Sequence, residues 1–163
     1  MPNNQIGKCD ISMSVEENKA IMRRFIEAYN NRNLKIFEEL VAPDFIDHTH
    51  QQQGRDKFKN LFTMAFDGFP DWYEEIEDMV AEGEKVWVRV KATGTHSGDW
   101  NLFGVPLPAT GNKITMKMVF FFRIVNGKLA ETGELDDQLD FFNKLGFIEY
   151  TEKGKKLFPE ESK

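Results

Sequence analysis

The chain has 163 residues, is 40% hydrophobic with 15 Phe, and carries a formal net charge of -6. That is the length of one ordinary domain with enough apolar material for a real core, and its acidity argues against non-specific binding to nucleic acid or to an acidic membrane surface. A single cysteine, Cys9, excludes an intrachain disulfide framework and a cysteine-rich zinc site. The start MPNNQIGKCD lacks an apolar h-region and no later run is long enough to span a bilayer, so a cytoplasmic protein is expected.

Met1 to Met13 reads as a loose extension. Ser14-Val-Glu-Glu17 is a capping box that opens a helix, and Met22, Phe25, Ile26 and Tyr29 follow at the spacing of one buried stripe. A short helix is predicted over Leu34–Val41, stopped by Pro43, then a short strand over Phe45–Thr49. A third helix is predicted over Gly54–Phe66, with Phe58, Leu61, Phe62 and Ala65 on one side. From Pro70 the period changes to two. Strands are predicted over Trp72–Ala81 and Lys85–His96, the second with Val86, Val88, Val90, Ala92, Gly94 and His96 on one face. The Gly/Pro-rich stretch SGDWNLFGVPLPATG is long enough for a mouth loop. Ile114–Val125 is a strand with an apolar end that suggests burial on both faces. Asn126-Gly127 is a type I′ hairpin signal leading to a last strand, Lys128–Asp137. A helix over Leu139–Leu145 ends at Gly146.

Helices first and antiparallel strands afterwards predict an α+β fold in a single domain, residues 14–150, followed by a charged tail, residues 151–163. One sheet face must cover the helices. The other carries Val119, Phe121 and Val125, which a homodimer would bury.

In order and spacing, Phe45-Ile-Asp-His48, Phe69-Pro-Asp71, Gly94-Thr-His-Ser-Gly98, Gly104-Val-Pro106 with Thr110-Gly111, Phe122-Arg123, Asn126-Gly-Lys128, and Asp137 before Leu145-Gly146 resemble the SnoaL-like polyketide cyclases of the nuclear transport factor 2-like superfamily. The resemblance spans Glu16 to Gly146. It implies a cone-shaped fold, a curved sheet wrapped around N-terminal helices with a deep apolar pocket. It also implies cofactor-free intramolecular aldol ring closure, without a metal, with an Asp near the end of the last long strand as acid/base. Asp137 matches that position. Four residues earlier the family often carries an aromatic, commonly Trp; Gly133 stands there, which predicts a larger or reshaped pocket floor.

Simple alternation from Asp137 puts Leu135, Gly133, Glu131 and Leu129 on its face, largely apolar yet carrying two carboxylates. A carboxyl in such a setting has a raised pKa and serves as a general base near neutral pH; the bland alternative is a cap for the next helix. By the same counting Asp136 faces the other way, suited to a cap or a solvent contact. His96, at a strand end beside the loop, is a candidate hydrogen-bond donor to a substrate carbonyl, or else a core histidine held by a backbone carbonyl. His48 is expected to line the pocket or hold the loop, and His50 to be exposed. A metal site from the three histidines with Asp47 is the weaker reading. Glu131 either shares a proton with Asp137 or pairs with Arg89, Arg123 or a backbone group. Trp100, Phe103, Met116, Met118 and Phe120 are core residues or substrate-binding surface. The function these residues favour is proton transfer on a hydrophobic carbonyl compound; the alternatives are a non-catalytic small-molecule binder and a dimerisation module on the same fold.

Overall fold

The computed structural model describes residues 13–158. Its element order is α1 (Val15–Asn30), α2 (Ile36–Leu40), β1 (Val41–Asp47), β2 (Gln52–Gln53), α3 (Arg55–Gly68), β3 (Tyr73–Glu82), β4 (Lys85–Thr95), β5 (Trp100–Leu102), β6 (Val105–Leu107), β7 (Lys113–Val125), β8 (Lys128–Asp136), α4 (Gln138–Leu145) and α5 (Glu152–Leu157). Six strands form one sheet in the order β2-β1-β8-β7-β4-β3, antiparallel throughout except for the β1–β8 pair; β5 and β6 form a separate hairpin. The helices α1 and α3 pack across the inner face, making the expected α+β fold.

The capping box at Ser14 is present, with Ser14 Oγ accepting from Glu17 N and Glu17 Oε2 accepting from Ser14 N at 2.8 Å. The buried stripe of α1, Met22, Phe25, Ile26 and Tyr29, meets Phe37, Phe58 and Phe62 in an aromatic cluster. Such rings contribute about 1.5–3 kcal/mol each through burial. The inward face of β4 runs as the alternation predicts: Val86, Val88, Val90, Ala92 and His96 are all fully buried.

Two stretches differ from the sequence reading. Helix α2 ends at Leu40 and Pro43 lies inside β1, where an edge-like position tolerates its missing N–H. The tail is not structureless in its first part: Thr151 caps α5 by accepting from Gly154 N. Residues 1–12 of the expected extension and 159–163 of the tail lie outside the described residues.

The difference with most consequence is in β8. Arg123 pairs with Glu131 but Ile124 pairs with Leu129, so β8 carries one extra residue, Ala130. Such a bulge breaks the period of two. Before it Leu129 faces inward and is fully buried; after it Thr132, Glu134 and Asp136 pair with the inward-facing Phe122, Phe120 and Met118. Glu131, Gly133 and Leu135 therefore lie on the outer face.

Gly133 is a consequence of that reversal. A Cβ there would come within 1.9 Å of the Phe121 ring, so the glycine makes room for an aromatic on the outer face and does not reshape the pocket floor. Gly98 has a comparable role on the inner side. It donates its N–H to Gly68 O at 3.1 Å, and a Cβ on it would meet Asp67 O at 1.9 Å. This close approach seats the β5–β6 hairpin on the end of α3. Replacing Gly98→Ala should push the hairpin away and destabilise the fold by about 1–3 kcal/mol, the usual cost of overpacking; a urea midpoint equal to wild type would contradict that seating.

Candidate active site: an acid/base cavity between the helices and the sheet

A cavity of ≈ 170 Å³ lies between α1, α3 and the inner sheet face. Its walls are mainly apolar: Phe58, Leu61 and Phe62 from α3, and Met118, Phe120 and Phe122 from β7. Leu102 and Phe103 from the β5–β6 hairpin stand at it, and Phe103 remains half exposed. The polar groups fall into two sets. Asp47, His50, Thr132 and Glu134 come from β1, the turn after it and β8; Tyr29, Trp72 and Glu74 come from α1, the loop before β3 and β3 itself.

The first set is organised by a turn. Asp47 ends β1, and its Oδ1 accepts from the backbone N–H of Thr49 at 3.0 Å and of His50 at 3.1 Å. A side chain that binds the backbone two or three residues on builds an Asx turn. The turn swings His50 inward, where its Nδ1 donates to Asp47 Oδ2 at 2.8 Å. The His50 Nε2 is left facing Glu134, 3.6 Å from Oε1. Thr49 fixes Glu134 in turn, since its Oγ1 accepts from Glu134 N at 2.8 Å.

The electrostatics follow from that geometry. Burial pushes the Asp47 carboxyl up, but the hydrogen bonds from His50 and the backbone outweigh it and hold Asp47 below the usual carboxylate range. The hydrogen bond to Asp47 raises His50 above an ordinary histidine against the effect of burial, helped by the charges of Asp47, Glu134 and Asp136. Glu134 is pushed up to about 7, first by burial and further by Asp136 and Asp47, with His50 opposing. Asp136 is also raised, chiefly by burial. An imidazole raised above an ordinary histidine and a carboxyl pushed up to about 7, 3.6 Å apart on the wall of an apolar cavity, form a pair that can hold and pass on a proton.

Several expected site residues sit elsewhere. Asp137 is exposed, outside the cavity lining, and its Oδ1 accepts from Asp140 N at 3.0 Å as the N-cap of α4. The bulge at Ala130 invalidates the alternation that pointed it inward. Glu131 lies outside as well, bound by Arg123 Nε at 2.8 Å and by His48 Nε2 at 2.9 Å. The His48 hydrogen bond, then Arg123, holds its carboxyl low. His48 is therefore an outer-face partner of Glu131 and not a lining residue.

His96 is fully buried but away from the cavity lining. It stacks on Phe69 with centroids 5.0 Å apart, and its Nδ1 accepts from Thr110 N at 3.3 Å. Burial lowers its pKa. It anchors the returning loop in the core, with His96 N donating to Asn112 O at 2.9 Å and Gly111 N to His96 O at 2.8 Å. Trp100 packs between Phe69 and Phe141, against Gly68, outside the lining. Met116 is buried in the sheet core. Met118, Phe120 and Phe103 do line the cavity.

His50 and Asp47 are the residues the sequence reading placed wrongly or left in a minor role. His50 is expected from the sequence to be exposed, but β1 stops at Asp47 and the turn after it carries His50 to the cavity wall. Asp47-His-Thr-His50 was itself the available signal, an Asp followed by residues whose N–H groups it can cap. The three histidines end on the outer face, in the cavity and in the core, so they do not converge on a metal. Among the described residues no group of three His, Cys, Asp or Glu side chains has a metal-binding arrangement.

The fold is a curved α+β sheet with this acid/base cluster on the wall of an inner cavity. The sequence profile of the SnoaL-like polyketide cyclases matches residues 19–145, and the chain belongs to that family. It is 29% identical over 133 residues to the aklanonic acid methyl ester cyclase DauD of Streptomyces sp. (strain C5), covering 77% of this chain and 80% of the relative. Its likeness to the aklanonic acid methyl ester cyclase DnrD of Streptomyces peucetius is also 29% over 133 residues, covering 77% and 88%. Among solved structures, IdmH of Streptomyces antibioticus, a candidate polyketide cyclase, superposes with a TM-score of 0.66 at 27% identity, covering 79% of this chain and 98% of that one. AclR of Streptomyces galilaeus, a candidate hydroxylase, gives 0.72 at 25%, covering 83% and 100%. No helix among the described residues is long and apolar enough to cross a membrane.

Stability should record the raised groups. Glu74 and Glu134 have folded pKa values pushed to about 8 and about 7 from an ordinary 4.5. Between those limits the folded chain holds more protons than the unfolded one, and His50, also raised, acts in the same sense. Stability is therefore full below about pH 4.5 for these groups and falls as pH rises through about 7 to 8. The urea midpoint should drop between pH 5.5 and 8.5, and Glu74→Gln should flatten part of that drop. A midpoint rising over the interval would contradict it.

Proposed function

We propose that this chain is a cofactor-free acid/base enzyme that closes a ring in a hydrophobic poly-carbonyl compound by intramolecular aldol condensation. The observation that carries the reading is His50, held between Asp47 and Glu134 on the wall of an apolar cavity. His50, its Nδ1–H directed at Asp47, takes through Nε2 the proton on the carbon between two carbonyls, leaving an enolate. The enolate carbon forms a C–C bond to a second carbonyl carbon, whose C=O π pair becomes an alkoxide. The alkoxide regains the proton from the His50–Glu134 pair. The product is an isomer of the substrate and the group returns to its starting state. The named cyclases act on an aklanonic acid methyl ester, which favours a polyketide ester for this chain too.

Asp137 keeps a second reading through its match to the family's acid/base position. The two are separated by activity on a polyketide β-keto ester. His50→Gln should lose about 10²-fold or more, the usual worth of a general base, while retaining the fold. Asp137→Ala should cost about 1 kcal/mol of stability as a lost cap and leave turnover within a few-fold. The reverse pattern would return the chemistry to Asp137, and ligand binding without turnover in wild type would make the chain a binding protein.

The outer sheet face supports a homodimer. Leu135 is 67% exposed and Trp87 44%, with Val119 and Phe121 beside them. Burial against a second copy would remove this patch from water. Phe121→Asp should weaken the dimer by more than about 2 kcal/mol if that ring is a hot spot. A wild-type monomer in sedimentation at micromolar concentration would contradict the dimer.

A further inference from the structure

The second polar set in the cavity has no role in the proton transfer just described. Glu74 is 4% exposed and faces inward from β3. Its backbone is pinned to the end of α1: Asn30 Nδ2 donates to Glu74 O at 2.8 Å, and Glu74 N donates to Asn30 Oδ1 at 3.0 Å. Glu74 Oε1 accepts from Trp72 Nε1 at 3.1 Å. Its other oxygen, Oε2, is buried without a partner, and so is the hydroxyl of Tyr29, the residue beside Asn30. Both side chains line the cavity that holds His50 and Glu134. Among the described residues no Lys, Arg or His lies within ion-pair distance of Glu74.

A buried carboxyl without a counter-ion is neutral, and a neutral carboxyl has an O–H to donate. Burial, then the nearby Glu134, pushes Glu74 up to about 8. Leaving two buried hydroxyls unsatisfied is costly, and the Trp72 N–H holds the Glu74 side chain by its other oxygen. The group that satisfies both is an acceptor carried by an apolar ligand. Such donors bind best to an oxygen that gains negative charge in a water-poor site.

We propose that Glu74 and Tyr29 form the carbonyl-recognition end of the cavity, donating hydrogen bonds to the oxygen on which the enolate develops, while the His50 end handles the proton. The proposal rests on the cavity being the substrate site, and it specifies the ligand: an apolar ring system bearing a ketone or ester carbonyl. The titratable groups facing Glu74 across the cavity are Glu134 from β8, Asp47 and His50 from β1 and its turn, and Tyr29 from α1; α3 and β7 present only apolar side chains.

The test uses 1-tetralone, a bicyclic aryl ketone labelled with ¹³C at the carbonyl, on the full chain. Calorimetry gives Kd and isotope-edited infrared difference spectra report the carbonyl. Wild type should bind saturably with the carbonyl band moved to lower frequency, and should show a neutral-carboxyl band at pH 7 that Glu74→Gln lacks. Glu74→Leu should raise Kd about tenfold, the worth of one good hydrogen bond, and return the carbonyl band. Tyr29→Phe should raise it less. Glu74→Gln, which keeps an N–H donor, should bind nearly as wild type but without the loss of affinity that wild type shows above about pH 8. His50→Gln should lose turnover of the β-keto ester while the carbonyl band of bound ketone still moves to lower frequency, so failure of the proton-transfer reading and failure of this one give different patterns. Absence of saturable binding in wild type, an unchanged Kd in Glu74→Leu, or no neutral-carboxyl band lost in Glu74→Gln would each overturn the proposal. If Glu74→Leu fails to fold, the infrared comparison with the isosteric Gln variant decides alone.

Discussion

The chemistry of this cavity depends on one inserted residue in the last strand. Ala130 sets β8 out of step with β7, so the strand that delivers Leu129 to the core also delivers Thr132 and Glu134 to the inner face. Without an irregularity, a strand that buries Leu129 would bury Glu131 and Gly133 and turn Glu134 to water. The bulge thus places a carboxyl opposite His50 and releases Glu131 to pair with Arg123 and His48 outside. Bulges are common where a strand must re-aim a side chain beside a site, and this one determines which acidic residues are solvated and which are not.

The legible parts of the sequence were those where one physical signal dominates over many residues. The apolar stripe of α1 and the alternation of β4 each repeat several times, and the tertiary packing follows them. The capping box at Ser14 and the left-handed Gly146 are single-position signals with few competing solutions. The site was harder because it is made from departures from periodicity. His50 faces inward only because β1 stops at Asp47 and an Asx turn begins there. The face of Asp137 was counted through Ala130, where counting fails; a bulge leaves no fixed residue signature when the extra residue is an ordinary Ala. His96 was correctly placed as inward, but an inward residue at a strand end can meet core or cavity, and only the position of Phe69 and Phe147 against it decides between them.

The two faces of the sheet treat charge in opposite ways. On the outer side three carboxylates have a cation: Glu131 and Glu84 share Arg123, and Glu77 meets Arg89. Such exposed pairs contribute little to stability, of order 0–1 kcal/mol each. The inner face has Asp47, Glu74, Glu134 and Asp136 with one histidine among them. Phe58, Phe62 and Phe120 surround the cavity with apolar surface, so Glu74, Glu134 and Asp136 hold their protons more tightly than free carboxyls, while Asp47 stays ionised against His50.

That arrangement has a mechanistic consequence independent of the identity of the substrate. In the proposed mechanism, an apolar cavity that lowers its charge by holding protons supplies both a proton acceptor and a proton donor. The acceptor is distinguished from the donor by its partner. His50 is oriented by an ionised Asp47, which stabilises the imidazolium formed when a proton arrives. Glu74 is oriented by the Trp72 N–H on one oxygen, which leaves the other to present its hydrogen. In the proposed mechanism the two carboxyls have opposite duties because one meets a histidine and the other an indole. An enolate formed between them would face a positive group where the proton departed and neutral hydroxyls where the charge accumulates, and the apolar walls of α3 and β7 would hold the remainder of the molecule folded on itself for ring closure.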